Sequence, residues 1–449
     1  MLPLRLTDLA DRQVPRYTSY PTAPQFHDGV GAEDYSRWLG ALREADAPVS
    51  LYLHVPYCRS ICHYCACTTK ATRRDEPVLA YARRLTREIS LVAERTGRLR
   101  VSHIHWGGGT PNLLPPDLFD ALVADLCDRF DVDPYAEHAI ELDPRHVTRE
   151  SARRLAASGV TRASLGVQDF APEVQSAIGR IQPHRVVAAA AEAVRAAGIE
   201  GLNFDLIYGL PRQTLRSVRE TALRAVALAP DRIALFGYAH VPWFRANQRL
   251  IDAKDLPDVE LRLELAATAR EAIEAAGYVP VGIDHFARSD DSLATAAAWG
   301  TLRRNFQGYT TDRAETLIGL GPSSVGRLPE GYVQNAADVG AWARAIDDGR
   351  LAVAKGRALT PDDRLRGAVI ERLLCSFEAD LGAIAMAHGA SPAALLPALE
   401  RLEPLIAQDF VRLEGSRLSI VRDAPALARI VASAFDAYLG AGARHSLAA

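Results

Sequence analysis

Three cysteines lie close together early in the chain, in the run Tyr-Cys-Arg-Ser-Ile-Cys-His-Tyr-Cys. Three residues separate Cys58 from Cys62, and two separate Cys62 from Cys65. Thiolates are soft ligands that suit zinc, copper(I) and iron–sulfur clusters. Three thiolates around a four-iron cluster leave one iron without a protein ligand, and that iron can bind a small molecule. The spacing therefore predicts an iron–sulfur cluster that performs chemistry at its open iron.

A structural zinc site with Cys67 as its fourth ligand is the main alternative. Only Ala66 separates Cys65 from Cys67, which is a poor spacing for a tetrahedral structural site. The other two cysteines, Cys127 and Cys375, lie in apolar, helix-like surroundings and are predicted to be buried. Such clustering argues against a disulfide framework and fits a reducing compartment.

The overall composition limits the class of protein. The chain has 449 residues, of which 48% are hydrophobic and 24% are charged, with a formal net charge of −3. These values are typical of a globular protein with two or three domains. There is no basic surplus for nucleic acid, no apolar run long enough for a bilayer and no signal-peptide core at residues 1–13. We therefore expect a cytoplasmic protein without a nucleic-acid partner or a membrane span.

Strand-like and helix-like segments alternate through the first half of the chain. The strand-like segments are residues 50–56, 101–106, 139–143, 162–168, 201–208 and 232–239. The helix-like segments are residues 77–95, 115–130, 148–157, 184–197 and 214–227. This alternation predicts βαβ units and a parallel sheet. The predicted fold is α/β, a partial (β/α)6 barrel rather than a complete barrel of eight units.

Polar residues end each of these predicted strands. They are His54, Gly107–Thr110, Glu141 with Asp143, Gln168, Asp205 and His240. Ligands of parallel α/β folds bind at the carboxyl ends of the strands. The cysteine loop follows the first strand, so we expect it to open onto this same edge.

The character of the sequence changes after residue 350. Residues 358–377, 380–388, 392–408 and 424–438 read as amphipathic helices, with a short hairpin at 411–420. This part is predicted to be a mainly helical, winged-helix-like domain that packs or acts as a lid. The predicted organisation is an N-terminal arm or lid at 1–45, a catalytic domain at 46–350 and a C-terminal domain at 351–449.

The cysteine motif, with Tyr64 as its aromatic residue, and the Gly-Gly-Gly-Thr-Pro run at 107–111 resemble the signatures of the radical S-adenosylmethionine superfamily. Further segments resemble the bacterial oxygen-independent coproporphyrinogen III oxidases, and the likeness extends over residues 15–439. These segments are residues 16–23, 105–111, 166–170, 205–211, 284–287 and 304–311. Cys67 and segment 16–23 also fit this family, whereas the related haem-chaperone branch typically lacks both.

The resemblance implies a [4Fe-4S] cluster on Cys58, Cys62 and Cys65, and two S-adenosylmethionine molecules in one site. The molecule on the cluster is implied to contact Tyr52, Gly108 and Glu141. The second is implied to contact Tyr64, Gly109, Thr110, Gln168, Arg180, Asp205, Ala239 and Val325. The catalytic candidates are the three cysteines with His54, Glu141 and Gln307.

The implied reaction is the oxygen-independent oxidative decarboxylation of two propionates of coproporphyrinogen III to vinyl groups, giving protoporphyrinogen IX in haem biosynthesis. The cluster would cleave S-adenosylmethionine, and the resulting 5′-deoxyadenosyl radical would take a β-hydrogen from the propionate. Arg303, Arg304 and Gln307 are expected to receive substrate carboxylates.

The expected partners are a one-electron donor such as flavodoxin or ferredoxin, and the expected state is a monomer. A haem-binding, chaperone-like protein on the same scaffold is the alternative function. A structural zinc protein is the third function considered.

Overall fold

A parallel sheet forms the centre of the computed structural model, which describes residues 4–440. Its six principal strands are β1 (Val49–Val55), β2 (Arg100–Gly108), β3 (Asp131–Leu142), β4 (Arg162–Gln168), β5 (Gly201–Tyr208) and β6 (Arg232–Gly237). The helix after each is α1 (Glu76–Thr96), α2 (Pro116–Arg129), α3 (Arg149–Ala157), α4 (His184–Ala196), α5 (Leu215–Val226) and α6 (Val259–Ala275). Neighbouring strands pair in parallel in this order. The predicted partial (β/α)6 barrel is confirmed.

The strands have one apolar and one polar face. In β1, Leu51 and Leu53 are fully buried in the main core, while Ser50 lines a cavity on the other face. In β2, Ile104 belongs to the core and His105 lines that cavity. Successive side chains of a strand point to opposite faces. The apolar face therefore packs on the helices and the polar face encloses the lumen of the partial barrel.

The sheet extends beyond the six principal strands at both edges and is open, with 12 strands. Thr316–Leu320 pairs in parallel with β1. The strands Val325–Leu328, Gly331–Asn335 and Val353–Ala358 continue that edge, and His285–Ala287 and Val279–Val281 continue the other, all antiparallel. The last strand of the first edge lies beyond residue 350. We therefore propose a domain boundary near residue 359.

The C-terminal region combines helices with a small sheet. The helices are Pro361–Ser376, Leu381–Ala387, Leu396–Ile406 and Ala424–Ser433. A three-stranded antiparallel sheet, with Arg417–Ile420 between Glu378–Asp380 and Val411–Glu414, completes it. This arrangement agrees with the predicted mainly helical, winged-helix-like character.

The N-terminal arm is part of the C-terminal core. Leu9 and Val14 are buried in the same apolar cluster as the C-terminal helices. The Tyr17 hydroxyl donates to Asp436 at 3.0 Å, and the backbone N–H of Ala437 donates to the Tyr20 hydroxyl at 2.9 Å. The arm therefore ties the C-terminal domain to the remainder of the fold.

The prediction for the two isolated cysteines is half right. Cys375 is buried, but Cys127 is exposed. Phe119, Leu122 and Leu126 occupy the inner face of α2 at helical spacing. Cys127 follows directly after the last of these, which turns it away from the core.

A buried carboxylate joins α1 to the edge of the sheet. Glu88 accepts hydrogen bonds from the Gly321 backbone N–H at 2.7 Å, the Asn335 amide at 2.7 Å and the Trp342 indole at 3.1 Å. Although these three donors favour the carboxylate, burial raises the pKa of Glu88 to about 7. The hydrogen bonds of Glu88 therefore join α1 to residues 321–342, which are more than 230 positions away in the sequence.

We expect Glu88→Ala to destabilise the protein strongly, because it leaves the buried N–H groups of Gly321 and Trp342 unpaired, whereas the Asn335 amide keeps the Gly321 carbonyl and the Ser324 hydroxyl as partners. Each unpaired donor costs about 1–3 kcal/mol, so the free energy of unfolding should fall by about 2 kcal/mol or more. Glu88→Gln keeps an accepting oxygen and should cost less. Urea unfolding followed by tryptophan fluorescence measures both variants. Wild-type stability in Glu88→Ala would contradict the role of these hydrogen bonds.

Candidate active site

The backbone of the cysteine loop is held by a distant segment. The Asn247 side-chain amide donates to the carbonyl oxygens of Cys62, His63 and Cys65 at 3.1, 3.2 and 2.9 Å. The Gln248 amide donates to the Tyr64 carbonyl at 2.8 Å. Both amides lie on the short 3-10 helix Ala246–Leu250. The loop therefore has a fixed shape, set by residues that no sequence motif had indicated.

Two of the cysteine sulfurs receive hydrogen bonds from polar side chains near the strand ends. The Thr110 hydroxyl donates to Cys58 Sγ at 3.3 Å, and Arg180 Nη1 donates to Cys62 Sγ at 3.5 Å. A hydrogen bond from Cys67 lowers the pKa of Cys65 to about 7. Donors and cations near sulfur favour the thiolate, which is the form that binds metal.

The three thiols supply soft ligands of the kind that an iron–sulfur cluster needs. Burial raises the pKa of Cys58 to about 11, and metal binding releases the proton of a thiol ligand. Cys58, Cys62 and Cys65 on one anchored loop suit such a cluster.

The glycine run packs directly against the start of the cysteine loop. The N–H groups of Gly109 and Thr110 donate to the carbonyls of Val55 and Tyr57 at 2.7 and 2.8 Å. A Cβ atom on Gly109 would lie 2.4 Å from the Tyr57 oxygen, so only glycine fits. The N–H of Gly108 donates to Glu141 at 3.0 Å. These three N–H groups are thus used within the protein.

His54 lies at the end of β1 with both ring nitrogens engaged. Nε2 lies 2.9 Å from the Thr68 carbonyl oxygen, which can only accept, so Nε2 carries the proton. Nδ1 then accepts from the Tyr52 hydroxyl at 3.1 Å. Burial lowers the pKa of His54, which keeps the ring neutral. This geometry gives His54 a positioning role, and its catalytic assignment stays a prediction.

Glu141 is a partly exposed carboxylate at the end of β3. It accepts from His105 Nε2 at 3.2 Å as well as from the Gly108 N–H. Burial favours the protonated form, but the hydrogen bond and charge of His105, with the Gly108 N–H, outweigh burial and lower the pKa of Glu141. It therefore presents negative charge to the lumen.

Arg180 connects the cysteine loop to the end of β4. Its guanidinium also bonds the Gly166 carbonyl at 2.9 Å and Asp143 at 3.4 Å, and its Nε is buried without a hydrogen-bond partner. Nearby Gln168 has a φ of 67°, a conformation that side chains other than glycine rarely adopt. Strain and an unpaired guanidinium nitrogen at one strand end are typical of a ligand site.

Asp205 lies across the lumen from Glu141. It accepts from the Ser164 hydroxyl at 3.0 Å and the Asn203 amide at 2.9 Å. Burial, with the charge of Glu141, raises the pKa of Asp205 to about 6. Both carboxylates and Gln307 line one cavity of about 180 Å³. The Gln307 side-chain oxygen is buried without a partner.

Of the candidate site residues, Glu141, Asp205 and Gln307 line this cavity and the others do not. Three of those others have surroundings of their own. Val325 lines a neighbouring cavity of about 340 Å³, together with the arm residues 17–20. Tyr64 packs in a small apolar cluster with Ile178 and Tyr238. The carbonyl of Ala239 accepts from Gln248 at 3.1 Å. The structure thus separates these three from the Glu141–Asp205–Gln307 group.

Arg303 and Arg304, the two arginines expected to receive substrate carboxylates, lie in different surroundings. Arg303 pairs with Glu371 at 2.8 Å. The Arg304 guanidinium lies 4.6 Å from the centre of the Tyr309 ring, and its Nε is buried without a hydrogen-bond partner. Arg304 is therefore better placed than Arg303 to receive an anion.

We expect Gly109→Ala to lose most of its cluster, because the new Cβ atom would push the glycine run away from the cysteine loop. Overpacking of this kind costs about 1–3 kcal/mol. Gly40→Ala is the matched control, since it lies in the helix Ala32–Ala41 with nothing within 4 Å of its Cβ position. Iron content after anaerobic reconstitution measures the effect. Equal iron in Gly109→Ala and the control would contradict the packing argument.

Comparison with known proteins identifies the two parts of the chain. The Radical SAM superfamily model matches residues 52–225, and the HemN C-terminal domain model matches residues 359–423. The radical SAM superfamily implies a [4Fe-4S] cluster and S-adenosylmethionine as cofactors. Both matched regions agree with the site and with the C-terminal domain described above.

Relatives match over nearly the whole length. The oxygen-independent coproporphyrinogen III oxidase of Bradyrhizobium diazoefficiens is 53% identical over 433 residues, which cover 96% of each chain. That of Paracoccus denitrificans is 45% identical over 98% of this chain and 97% of its own. The structure of coproporphyrinogen III oxidase (HemN) from Escherichia coli superimposes with a TM-score of 0.90 at 35% identity, covering 95% of this chain and 100% of that one. This chain therefore belongs to the oxygen-independent coproporphyrinogen III oxidase family of the radical SAM superfamily.

Proposed function

We propose that this protein is an enzyme that converts coproporphyrinogen III to protoporphyrinogen IX without oxygen. Two propionates would each lose carbon dioxide, one hydrogen atom and one electron, and a vinyl group would remain. The observation that carries the proposal is the anchored three-cysteine loop at the strand ends of the lumen, in a chain 53% identical to a coproporphyrinogen III oxidase over 96% of its length. A carboxylate-lined lumen beside that loop supports it.

When bound, the cluster and S-adenosylmethionine supply a 5′-deoxyadenosyl radical that removes the propionate hydrogen. The chain would hold the reactants and exclude water. A methionine ammonium group can only donate hydrogen bonds, so backbone carbonyls of the glycine run would receive it, while the N–H groups of Gly108, Gly109 and Thr110 bond within the protein. At the same S-adenosylmethionine molecule, the Glu141 carboxylate would accept hydrogen bonds and the Tyr52 hydroxyl could donate one.

The second S-adenosylmethionine would lie deeper, between β4 and β5. Arg180 Nε is oriented by three other contacts of the guanidinium and suits a methionine carboxylate. Asp205 can accept from ribose hydroxyls. Support for two nucleotides in one site comes from two places with polar side chains: the lumen cavity with Glu141 and Asp205, and the end of β4 with Arg180.

The remaining expectations concern the surroundings of the enzyme. We propose a low-potential one-electron donor such as flavodoxin or ferredoxin, because the chain offers no second cluster motif. A monomer and a cytoplasmic location stay predictions. No helix among residues 4–440 combines the length and apolar character that a bilayer crossing requires.

The haem-chaperone alternative is not favoured. The relatives that match over nearly the full length carry the oxidase name. The chain also contains Cys67 and the 16–23 segment, which are features of the oxidase sequences.

We expect Cys62→Ala to lose the visible absorption of the cluster and all formation of vinyl product. The cysteine is buried, and its sulfur contacts Arg180. Cys127→Ala is the control, because Cys127 is exposed on α2, away from the site. Anaerobic turnover of coproporphyrinogen III with S-adenosylmethionine and a strong reductant, analysed by product mass, measures activity.

Two outcomes would overturn these assignments. Full turnover by Cys62→Ala would remove it from the ligand set. Wild-type protein that contains a reducible cluster but forms no vinyl product from coproporphyrinogen III would refute the proposed reaction.

We expect binding of the second nucleotide to depend on Asp205 ionisation. The pKa of this carboxyl is raised to about 6, so the group is charged above that value and takes up a proton below it. Affinity should therefore fall by up to about tenfold per pH unit as the pH decreases below about 6. Asp205→Asn should bind weakly at every pH. Equilibrium dialysis of the anaerobic holoenzyme measures stoichiometry, and a wild-type pH profile in Asp205→Asn would contradict the assignment.

A further inference from the structure

A second, larger cavity of about 520 Å³ adjoins the lumen. We call it the arm–helix cavity, because its walls come from the N-terminal arm, the helix α6, the hairpin of Arg303–Asn305 with Gly308–Thr310, and the start of the helix Ala424–Ser433. Its volume lies within the range of small-molecule sites. None of the residues assigned to S-adenosylmethionine lines it.

Most of the cavity wall is apolar. Aliphatic and aromatic side chains of the arm, α6, the hairpin, the end of β6 and the turn before His285 form it: Leu6, Leu235, Phe236, Leu263, Ile283 and Phe306. Such a surface suits a flat or folded hydrocarbon ring system rather than a small polar metabolite. The apolar lining favours an apolar ring system, and the charged residues of the cavity determine which polar groups the ligand carries.

The charged groups inside the cavity are mainly positive. Arg16, Arg304 and Arg429 line the cavity together with one carboxylate, Asp284, whose charge acts on all three guanidinium groups. Asp284 is already hydrogen-bonded to His285 at 2.8 Å. The other two lining carboxylates, Glu264 and Asp423, are exposed at the rim.

A fourth arginine in the wall is already engaged. The Arg270 guanidinium pairs with Glu274 at 3.2 Å, donates to the Ile283 carbonyl at 3.0 Å and lies over the Phe286 ring. It therefore contributes little attraction for a ligand.

Concentrating three guanidinium groups in an apolar cavity is unfavourable unless an anion joins them. This cost of placing guanidinium groups together affects Arg16, on the arm, and Arg429, on the C-terminal helix. Burial, reinforced for Arg429 by the charge of Arg16, lowers the pKa of Arg429 to about 9, and burial likewise lowers the pKa of Arg16. Arg304 Nε, buried and without a hydrogen-bond partner, is one donor available to an anion.

The arm–helix cavity and the lumen share part of their walls. Phe236 and Gln307 line both, so these two side chains lie at the boundary between them. Gln307 lies near the tip of the hairpin, and its side-chain oxygen has no partner. A molecule seated in the larger cavity can therefore extend one arm past Gln307 towards Asp205 and Glu141.

We propose that the arm–helix cavity binds the tetrapyrrole, with Arg16, Arg304 and Arg429 receiving carboxylates of the propionates that are not reacting while one propionate passes Gln307 into the lumen. This inference rests on the proposed function, which supplies a ligand with an apolar ring system and four carboxylates. It adds two arginines, on the arm and on the C-terminal helix, and so explains why both elements close over the barrel edge.

The test is a binding titration that requires no turnover. Coproporphyrin III, the fluorescent oxidised form with the same four propionates, is titrated into the anaerobic holoenzyme, and its tetramethyl ester serves as the uncharged probe. We expect the wild type to bind the acid much more tightly than the ester. Arg304→Gln and Arg429→Gln should each weaken acid binding about 10- to 100-fold, the usual effect of losing a charge-assisted hydrogen bond. Ester binding should stay the same.

Arg270→Gln is the matched control, because its guanidinium lies in the same wall but is already engaged. It should bind the acid like the wild type. Cluster absorption and S-adenosylmethionine stoichiometry, measured on the same samples, report whether a variant is folded. If Arg429→Gln unfolds because it loosens the C-terminal helix, Arg304→Gln and Arg304→Lys provide the test. Arg304→Lys should then bind the acid with an affinity between those of the wild type and Arg304→Gln.

The inference is overturned if the wild type binds acid and ester equally, or if folded Arg304→Gln binds the acid like the wild type. In either case vinyl formation by the wild type would leave the proposed function standing. Absence of vinyl product despite tight, arginine-dependent porphyrin binding would instead refute the function and keep the site.

Discussion

The structure depends on a backbone contact between two loops at the end of the sheet. The glycine run after β2 donates through Gly109 and Thr110 to the carbonyls at Val55 and Tyr57, with no space for a side chain between them. This contact fixes where the cysteine loop leaves β1. Asn247 then fixes the shape of the loop by binding three of its carbonyls. Together these contacts hold the three thiols on one loop of fixed shape.

The same strands that support this loop divide apolar from polar surroundings. Residues such as Leu51 and Ile104 pack on the outer helices, while their neighbours in sequence face the lumen. Because a slip of one residue would exchange the two faces, the apolar core also determines which carboxylates line the site. The charged lumen is stabilised by internal hydrogen bonds, such as those from His105 and Gly108 to Glu141.

The sequence predicts the parts of the structure that depend on local patterns. The six strands follow from βα periodicity, and the cysteine loop from ligand type and spacing. Asn247 could not be predicted, because its partners lie more than 180 residues away and an isolated asparagine carries no pattern. Thr316–Leu320 was missed because this short strand is not followed by a helix. Cys127 was wrongly placed because an apolar neighbourhood does not show which side of a helix is covered.

The central claim is that three cysteines hold a cluster whose fourth iron is left for S-adenosylmethionine. Electron paramagnetic resonance of the reduced, reconstituted protein, recorded with and without S-adenosylmethionine, tests it most directly. The account predicts a cluster signal that shifts when S-adenosylmethionine is added, and the same shift in Cys67→Ala. A signal that S-adenosylmethionine leaves unchanged, or one whose form depends on Cys67 as a fourth ligand, would contradict it.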